Sequence, residues 1–378
     1  MLCYIVVTTI NLPTSVQGYC ENISKFHRKG DTGIIVIGDR KTPKETSEFL
    51  AKLSKDGFEC LYYDISAQEQ WLRKFPDLAR IIPYDSDNRR NVGFLIAVER
   101  GAEIIISIDD DNYMTEADFV GEHSIVGKRH VLPSFSSSSG WFNVYSLMET
   151  CPARPIYPRG FPYCHRGEKT DIREGRSSGR VVMNAGLLLG DPDVDAVTRL
   201  NEPVQTTNLQ SYDHFVLAPG TWCPINTQNT AFHRDVLPAY YYIPMGYSFK
   251  GLRLDRYGDI WSGYFARKII DHMGDMVCYG KPLARHIRNT HNLFKDLGQE
   301  FWGMVLTDKL ADVLKSVSIT GNSYAEAYAA LSRMMPEMAG QIRINLDGFD
   351  NASDIRTYFE QIRDNMLIWL DACSRLLR

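Results

Sequence analysis

Strand-like and helix-like runs alternate along residues 3–109 of the chain. The helix-like runs, such as TPKETSEFLAKLSKDG and NRRNVGFLIAVERG, carry apolar residues at helical spacing and stop near a glycine. The strand-like runs are short, β-branched and almost continuously apolar, which is typical of parallel strands covered on both faces. They are CYIVVTT (3–9), GIIVIGD (33–39), FECLYYD (58–64) and EIIISID (103–109). This alternation predicts an α/β fold with a mostly parallel, mixed sheet flanked by helices.

Polar segments follow three of the strand-like runs. TTIN comes after the first run, GDRKTP after the second and DDDN after the fourth. Ligands of such sheets bind beyond the carboxyl ends of the strands, so we expect the three segments to border one crevice. Further along, TEADF offers Thr115 as a helix cap with Asp118 three residues later. This pattern predicts a helix that leads away from the crevice.

Three consecutive aspartates, Asp109, Asp110 and Asp111, end the fourth strand-like run. Adjacent carboxylates repel one another and raise each other's pKa, so a buried run of them indicates a bound cation. In an extended segment, residues 109 and 111 point to one side and residue 110 to the other. Two carboxylates on one side suit Mn²⁺ or Mg²⁺, whose coordination a diphosphate can complete. A helix-capping or turn-forming cluster is the alternative interpretation.

Composition excludes several classes of protein. The 378 residues are 44% apolar, which is ample for a large core, and the net charge of −4 argues against a general binder of nucleic acid or anionic membranes. The start of the chain lacks the features of a signal peptide, and no segment approaches the roughly 18 apolar residues of a membrane span. The eight cysteines are scattered, without a C-x-x-C pair or a spacing typical of a zinc site. We therefore expect a cytoplasmic protein with reduced thiols, no nucleic-acid partner and no transmembrane segment.

The rest of the chain differs in character from the first third. Residues 131–180 are rich in Ser, Pro, Gly and aromatic residues, which predicts a long loop system or a lid. Residues 181–290 alternate strand-like runs with turns and are expected to complete the sheet. From Ile355 onward, apolar residues recur every three or four positions and form one helical stripe. This stripe packs either against the main domain or in a homo-oligomer.

Two polar-ended strands followed by an acidic triplet resemble the nucleotide-sugar site of the GT-A glycosyltransferases. NVGFLIAVERGAEIIISIDDDN (91–112) is similar to the helix, strand and triplet of the reversibly glycosylated polypeptides, the family that includes plant UDP-arabinopyranose mutases. Further similar stretches follow in the same order: PRGFPYCHRGE (158–168), MNAGLLLGDPDVDAVTRL (183–200), GTWCPINTQNTAFHRDVLP (220–238), DRYGDIWSGYFARKIIDHMGD (255–275) and KPLARHIRNTHN (281–292). The resemblance implies a GT-A nucleotide-sugar-binding catalytic domain over residues 1–305, and it leaves residues 306–378 as a C-terminal helical extension.

The resemblance implies roles for the triplet and for one histidine. Asp111 is the first choice for direct contact with Mn²⁺ or Mg²⁺. Asp109 is assigned to the ribose or to a water-mediated metal contact, and Asp110 to catalysis. His286, in ARHIRNTHN, stands where the family has a late histidine, which implies a further metal ligand or a donor to the phosphates. A core or surface histidine without a ligand is the alternative.

The resemblance also implies catalytic roles for Arg159, Arg166 and Asp259. Arg159 lies in RGFP, which matches a family loop associated with reversible self-glycosylation, and Arg166 follows at the family's second arginine. Guanidinium groups in such a loop can neutralise a departing diphosphate, whereas solvent-exposed loop arginines are the alternative. Asp259 falls at an acidic pair of the family. Gly258 replaces the first acid of that pair, so we expect specificity or chemistry to differ.

Candidate nucleotide contacts lie at the strand ends. Thr8 and Thr9 at the end of the first strand, and Asp39 at the end of the second, are placed to hydrogen-bond a base and a ribose. Arg89 and Arg90 precede a helix whose amino terminus faces the crevice, where phosphates commonly bind. A surface salt bridge between Arg90 and a nearby aspartate, Asp87, is the alternative.

These features favour a metal-dependent glycosyltransferase that uses a nucleoside-diphosphate sugar, preferably a UDP-sugar, and an acceptor that the sequence does not identify. If the diphosphate recaptures the sugar through another hydroxyl, the protein is instead a flavin-independent UDP-sugar pyranose/furanose mutase with self-glycosylation. Gly258, the serine-rich loop and the helical tail favour transfer over ring rearrangement. A nucleotide-sugar-binding subunit without turnover is a third interpretation, against which the intact acidic triplet argues.

Overall fold

One mixed sheet of twelve strands frames the protein in the computed structural model, which describes residues 2–344 and 352–377. The strands are β1 (Cys3–Thr9), β2 (Thr32–Gly38), β3 (Glu59–Tyr63), β4 (Ile104–Asp109), β5 (Asn112–Met114), β6 (Arg129–Ser137), β7 (Met148–Cys151), β8 (Ile172–Gly190), β9 (Gln205–Leu209), β10 (His214–Leu217), β11 (Thr230–His233), β12 (Ser248–Phe249), β13 (Leu252–Arg253) and β14 (Met276–His286). The helices are α1 (Ser15–Lys25), α2 (Glu45–Lys55), α3 (Ile65–Leu72), α4 (Pro76–Ile81), α5 (Arg90–Glu99), α6 (Phe119–His123), α7 (Ala196–Asn201), α8 (Gly258–Met273), α9 (Leu293–Ser316), α10 (Tyr324–Gln341) and α11 (Ala352–Leu376). Only β12 and β13, of the described strands, form a separate pair. The predicted class, an α/β fold with helices at its C-terminal end, is confirmed.

The first four strands form a parallel half-sheet in the order β3-β2-β1-β4. Side chains of β1 alternate between two buried clusters: Tyr4 and Val6 belong to one, and Ile5 and Val7 to the other. Helix α5 packs into the first cluster and α1 into the second, so helices cover both faces. The four strand predictions are therefore confirmed to within one residue at each end.

Antiparallel strands extend the sheet beyond β4. Strand β11 pairs antiparallel with both β4 and β8, and the second half of β8 pairs parallel with β14. Residues 181–290 thus complete the sheet, as predicted. At its far end, β14 pairs antiparallel with the short β5, and His286 lies opposite Asn112. This pairing brings the end of β14 beside the acidic triplet.

Two local predictions were only partly right. The loop system expected over residues 131–180 contains a hairpin, in which β6 pairs with residues 172–180 of β8. These strands are fully or partly exposed over most of their paired length, and they lack the apolar alternation that signals a strand with one buried face. The helix after the triplet is capped by Asp118, whose carboxylate accepts from the Gly121 amide at 2.9 Å, and not by Thr115. Thr115 instead donates its amide to a β14 carbonyl, because the chain stays extended through β5.

The C-terminal apolar stripe packs within the chain. Trp369 of α11 is fully buried and donates its indole N–H to the carbonyl of Leu237 at 3.1 Å, and Tyr358 donates to the carbonyl of Pro244 at 3.3 Å. The homo-oligomer stays a prediction. Helix α9 runs through the predicted boundary between residues 305 and 306, and that division also stays a prediction.

No helix within residues 2–344 and 352–377 combines the length and the apolar character needed to cross a bilayer. The cytoplasmic location stays a prediction.

Candidate active site

Two cavities at the carboxyl ends of the parallel strands meet at the acidic triplet. The first, of about 250 Å³, is lined by the ends of β1 and β2 and by all three aspartates. The second, of about 150 Å³, is lined mainly by charged side chains. Four residues line both cavities: Asp87, Arg90, Asp109 and Asp111. The predicted crevice at the strand ends is therefore present, and it has two compartments.

Only Asp109 of the triplet lies in a strand, and Asp110 and Asp111 form a turn in place of the extended segment that we expected. Strand β4 ends at Asp109 and β5 begins at Asn112, with the turn between them. Asp109 and Asp111 nevertheless both line the second cavity, whereas Asp110 lines the first cavity alone. The three carboxylates thus have different surroundings.

Arg90 is a buried partner of the triplet. Its guanidinium forms an ion pair with Asp109 and donates to the hydroxyls of Ser107 at 2.6 Å and Thr8 at 3.0 Å. Burial opposes its charge, but the Asp109 carboxylate raises the pKa of Arg90 above the ordinary value. The alternative of a surface salt bridge between Arg90 and Asp87 is wrong, because Arg90 is only 2% exposed.

Asp109 is held by two donors. Arg90 contacts one carboxylate oxygen, and the Gln228 amide donates to the other at 2.7 Å. Burial acts to raise the pKa of Asp109, but Arg90 and then Gln228 hold that pKa below its ordinary value. A carboxylate with both oxygens occupied is less available as a direct metal ligand, which agrees with its assignment to the ribose or to a water-mediated contact.

Asp110 contacts the first strand. Its carboxylate accepts from the Thr9 hydroxyl at 2.5 Å and from the Asn11 amide at 3.3 Å. Burial raises its pKa to about 6, an effect that the Thr9 hydrogen bond opposes and the neighbouring aspartates increase. The structure thus joins Thr9 and Asp110, but it places Asp110 apart from the other predicted catalytic residues.

Asp111 faces His286. The His286 Nε2 atom lies 3.2 Å from Asp111 Oδ2, and its Nδ1 atom lies 2.8 Å from the carbonyl oxygen of Asp191. A carbonyl accepts only from a protonated nitrogen, so Nδ1 carries the proton in the neutral ring and the Nε2 lone pair faces Asp111. Burial acts to lower the pKa of His286, but the Asp111 carboxylate raises it above the ordinary value. His286 is only 6% exposed, so it is not a surface histidine, and its role as a metal ligand or phosphate donor stays a prediction.

This pair fits a divalent cation. A carboxylate oxygen and an imidazole nitrogen face each other, and a backbone carbonyl fixes the tautomer that leaves Nε2 free to coordinate. The nitrogen ligand favours Mn²⁺ over Mg²⁺, since Mg²⁺ is bound mainly through oxygen. The residues predicted as direct ligands, Asp111 and His286, are therefore suitably placed.

The first cavity also contains the other predicted nucleotide contacts. Asp39 is buried, and its carboxylate accepts from the backbone amides of Arg40 at 2.7 Å and Ser86 at 3.1 Å. Arg89 donates to Gln68 at 2.7 Å, while its Nη2 atom has no hydrogen-bond partner among the described residues. Thr8, Thr9, Asp39 and Arg90 thus line one cavity, as the sequence predicted.

A buried ion triad borders the second cavity. Arg159 donates to Asp193 from Nε at 2.8 Å and to Asp259 from Nη2 at 2.9 Å. All three side chains are at most 10% exposed and line the cavity, so the alternative of an exposed loop arginine is wrong for Arg159. One guanidinium serves two carboxylates.

The pKa values of the two carboxyl groups that share Arg159 move in opposite directions. Burial acts to raise the pKa of Asp193, but Arg159 holds it below the ordinary value, with help from the Asn226 amide. Burial raises the pKa of Asp259 to about 6; Arg159 opposes this rise and the Asp193 carboxylate adds to it. Asp259 is therefore a buried carboxyl group that can exchange a proton near neutral pH.

Replacing Arg159 with methionine will strongly destabilise the fold, because two carboxylates lose their shared cation inside the protein. Breaking a buried ion pair from one side costs about 3–5 kcal/mol. Urea unfolding at pH 7 measures this loss. Arg80→Met is the matched control, since Arg80 pairs with Asp77 at the surface and such pairs contribute at most about 1 kcal/mol. Equal stabilities of the two variants would contradict the triad's role.

Arg166 is not brought to the site. It donates to Asp195 at 2.6 Å and to the carbonyl of Phe161, and its guanidinium lies over the Tyr163 ring at 3.7 Å from the centroid. Among the described residues that line the two cavities, Arg166 is absent. These contacts fix the segment that carries Arg159, and a catalytic role for Arg166 stays a prediction.

Several site residues had no assigned role in the sequence analysis. Asp193 and Asp195 bind the two predicted arginines, and Gln228 binds Asp109. The aspartates did carry a signal: GDPDVD follows the end of β8, in the same way that DDDN follows the end of β4. Gln228 lies in a loop before β11 and had no signal of its own.

The departure at Gly258 has a steric cause. A Cβ atom at this position would lie 2.4 Å from the carbonyl oxygen of Ile243 and 2.8 Å from the Tyr242 ring. No side chain fits there without displacement of the backbone. Packing at the start of α8 therefore excludes an acidic side chain at position 258.

Comparisons with known proteins give one family that matches almost the whole chain. Residues 3–377 match the family model described as reversibly glycosylated polypeptide. UDP-arabinopyranose mutase 1 from Arabidopsis thaliana is 26% identical over 325 residues, which are 85% of this chain and 81% of the relative. UDP-arabinopyranose mutase 2 from the same plant is 26% identical over 302 residues, 79% of this chain and 75% of the relative. Among solved structures, glucosyl-3-phosphoglycerate synthase from Mycobacterium tuberculosis, in complex with Mn²⁺ and uridine-diphosphate-glucose, has a TM-score of 0.41 and 12% identity, covering 81% of this chain and 78% of that one.

Proposed function

The chain belongs to the reversibly glycosylated polypeptide family, and on that basis we propose that it is a UDP-sugar mutase that breaks and remakes the anomeric bond of its substrate. Glycosyl transfer, which the sequence favoured, is the coarser description of this chemistry. The more specific description, a mutase, rests on the named relatives, which are UDP-arabinopyranose mutases matched over 79–85% of this chain. UDP-arabinopyranose is therefore the first substrate to test.

The observation that carries this proposal is the meeting of two cavities at Asp109 and Asp111. The first cavity has the side chains expected for a nucleoside. The second is lined by ion pairs and polar groups, which suits the hydroxyls of a sugar ring. The diphosphate between nucleoside and sugar then lies at the triplet. A divalent cation held by Asp111 and His286 would neutralise the diphosphate as the anomeric C–O bond breaks.

Ring rearrangement requires a proton carrier on the sugar side. A sugar hydroxyl must lose a proton as it attacks the anomeric carbon, and the former ring oxygen must gain one as its bond to that carbon breaks. The diphosphate oxygen then returns to the anomeric carbon, so atoms and charges balance. Asp259 lines the second cavity, and its pKa of about 6 allows it to accept and return this proton near neutral pH. Arg159 fixes its position.

The test is incubation of the purified protein with UDP-arabinopyranose and Mn²⁺ in the absence of an acceptor. We expect NMR to show formation of the furanose nucleotide without net release of UDP, and UDP-glucose serves as the comparison substrate. Release of UDP only when an acceptor is added would indicate a transferase. Binding of the UDP-sugar without any product would indicate a subunit without turnover. Absence of UDP-sugar binding would overturn the proposal altogether.

A further inference from the structure

A thiol, an imidazole and a carboxylate converge outside the two active-site cavities. Cys164 and His165 belong to a short 3₁₀ helix, and Asp312 belongs to α9. Each residue offers one ligand atom, and these three atoms lie within 4.8 Å of one another. They are the Cys164 sulfur, a His165 ring nitrogen and an Asp312 carboxylate oxygen. Ligands of one tetrahedral zinc ion lie about 3.6 Å apart, given bonds of about 2.0–2.3 Å. Small side-chain rotations would therefore bring the three groups onto one ion.

We propose that Cys164, His165 and Asp312 form a second metal site, of the kind that binds Zn²⁺. Three protein ligands of these types leave a fourth position for water. A thiolate ligand selects zinc over Mn²⁺ and Mg²⁺, which prefer oxygen ligands. The site therefore differs in chemistry from the pair formed by Asp111 and His286.

The orientation of His165 supports this assignment. Its Nδ1 atom lies 2.7 Å from the carboxylate of Glu168, while Nε2 faces Asp312 at 3.7 Å. A carboxylate behind a histidine fixes the tautomer and raises the basicity of the opposite nitrogen, as is common behind zinc-bound histidines. The Trp141 ring stacks on His165 with centroids 5.5 Å apart and planes inclined at 26°. Nε2 is thus directed to the side where Asp312 lies.

The backbone around the ligands is also held in place. The Asp308 carboxylate accepts from the backbone amides of Tyr163 at 2.6 Å and Cys164 at 3.3 Å. Asp308 and Asp312 lie one helical turn apart on the same face of α9. The Asp308 carboxylate therefore fixes the 3₁₀ helix, and the Asp312 carboxylate can share a metal ion with Cys164 and His165.

The spacing of the cysteines does not predict this site, because none of them lies close to another in the chain. Here two adjacent residues meet a carboxylate on a distant helix, and only the fold brings them together. Residues 158–168 also carry Arg159 of the ion triad. A bound ion would therefore fasten the far end of this segment to α9.

Cobalt absorption provides the test, because only a thiolate-bound Co²⁺ gives a strong near-ultraviolet charge-transfer band. All variants of this test also carry Asp111→Asn, which weakens metal binding by Asp111 and His286 in the active site. We expect metal-free protein to bind one equivalent of Co²⁺ with this band and to exchange it for Zn²⁺. Cys164→Ser in the same background should lose the band and bind Zn²⁺ at least about 100-fold more weakly.

Two further variants make the test specific. Cys151→Ser is the matched control, since Cys151 is the other exposed cysteine, and it should keep both the band and the Zn²⁺ affinity. Glu168→Gln should keep the band but bind Zn²⁺ about 10–100-fold more weakly, because only the support behind His165 is lost. A band that persists in Cys164→Ser, or the absence of a band in the background protein, would overturn the proposal.

Discussion

Asp111→Asn is expected to abolish Mn²⁺-dependent binding of UDP and to lower turnover of the UDP-sugar at least about 100-fold. Loss of a residue that merely supports a metal ligand costs about 10–100-fold, and Asp111 is proposed as a ligand itself. The substitution preserves side-chain size, so packing is retained. It removes the charge that holds His286 across a 3.2 Å contact. The expected loss is therefore one of metal binding and not of folding.

Calorimetry with UDP measures this effect, in Mn²⁺ and in EDTA, with GDP and CDP as nucleotide controls. Wild-type protein should bind UDP selectively and lose that binding on chelation. Asp110→Asn is the matched variant, because its carboxylate contacts Thr9 and not His286, and it should retain the dependence on metal. If Asp111→Asn binds UDP as well as the wild type does, with or without metal, the triplet has a structural role.

The parallel half of the sheet and the position of the triplet were predictable because their signals are local. The runs of β1, β2 and β4 are buried on both faces, and their composition shows this directly. The partly exposed hairpin of β6 and β8 lacks such a signal. Its pairing joins residues 129–137 with residues 172–180, and its mostly polar composition does not distinguish a strand from a loop.

The partners within the site depend on contacts between distant parts of the chain. His286 reaches Asp111 because β14 pairs with β5, and no spacing within either segment indicates that pairing. Arg159 had been assigned to the diphosphate from its loop. The structure instead surrounds it with Asp193 and Asp259, so its charge is already compensated. Direct contact of Arg159 with the diphosphate stays a prediction.

The proposed role of Asp259 leads to a specific pH dependence. Asp259 must be ionised to accept a proton, so kcat/KM should fall as the pH drops through about 6, the pKa of this carboxyl group. Asp259→Asn should lower turnover about 10²–10⁴-fold, the range typical of a lost general base, and should remove this inflection. Asp110 also has a pKa of about 6, so the profile of Asp110→Asn is measured as well and should keep the inflection.

A substitution at the neighbouring aspartate tests the same mechanism without removing the proton carrier. In Asp193→Asn, Arg159 would form an ion pair with Asp259 alone. The negative charge of Asp193, which adds to the raised pKa of Asp259, would be lost. Both changes favour the ionised form of Asp259. The inflection in kcat/KM should therefore move to lower pH, and turnover at pH values above the inflection should persist. A structural role for the triad predicts lower stability but no such movement. An inflection that remains near pH 6 in both Asp259→Asn and Asp193→Asn would assign proton transfer to another group.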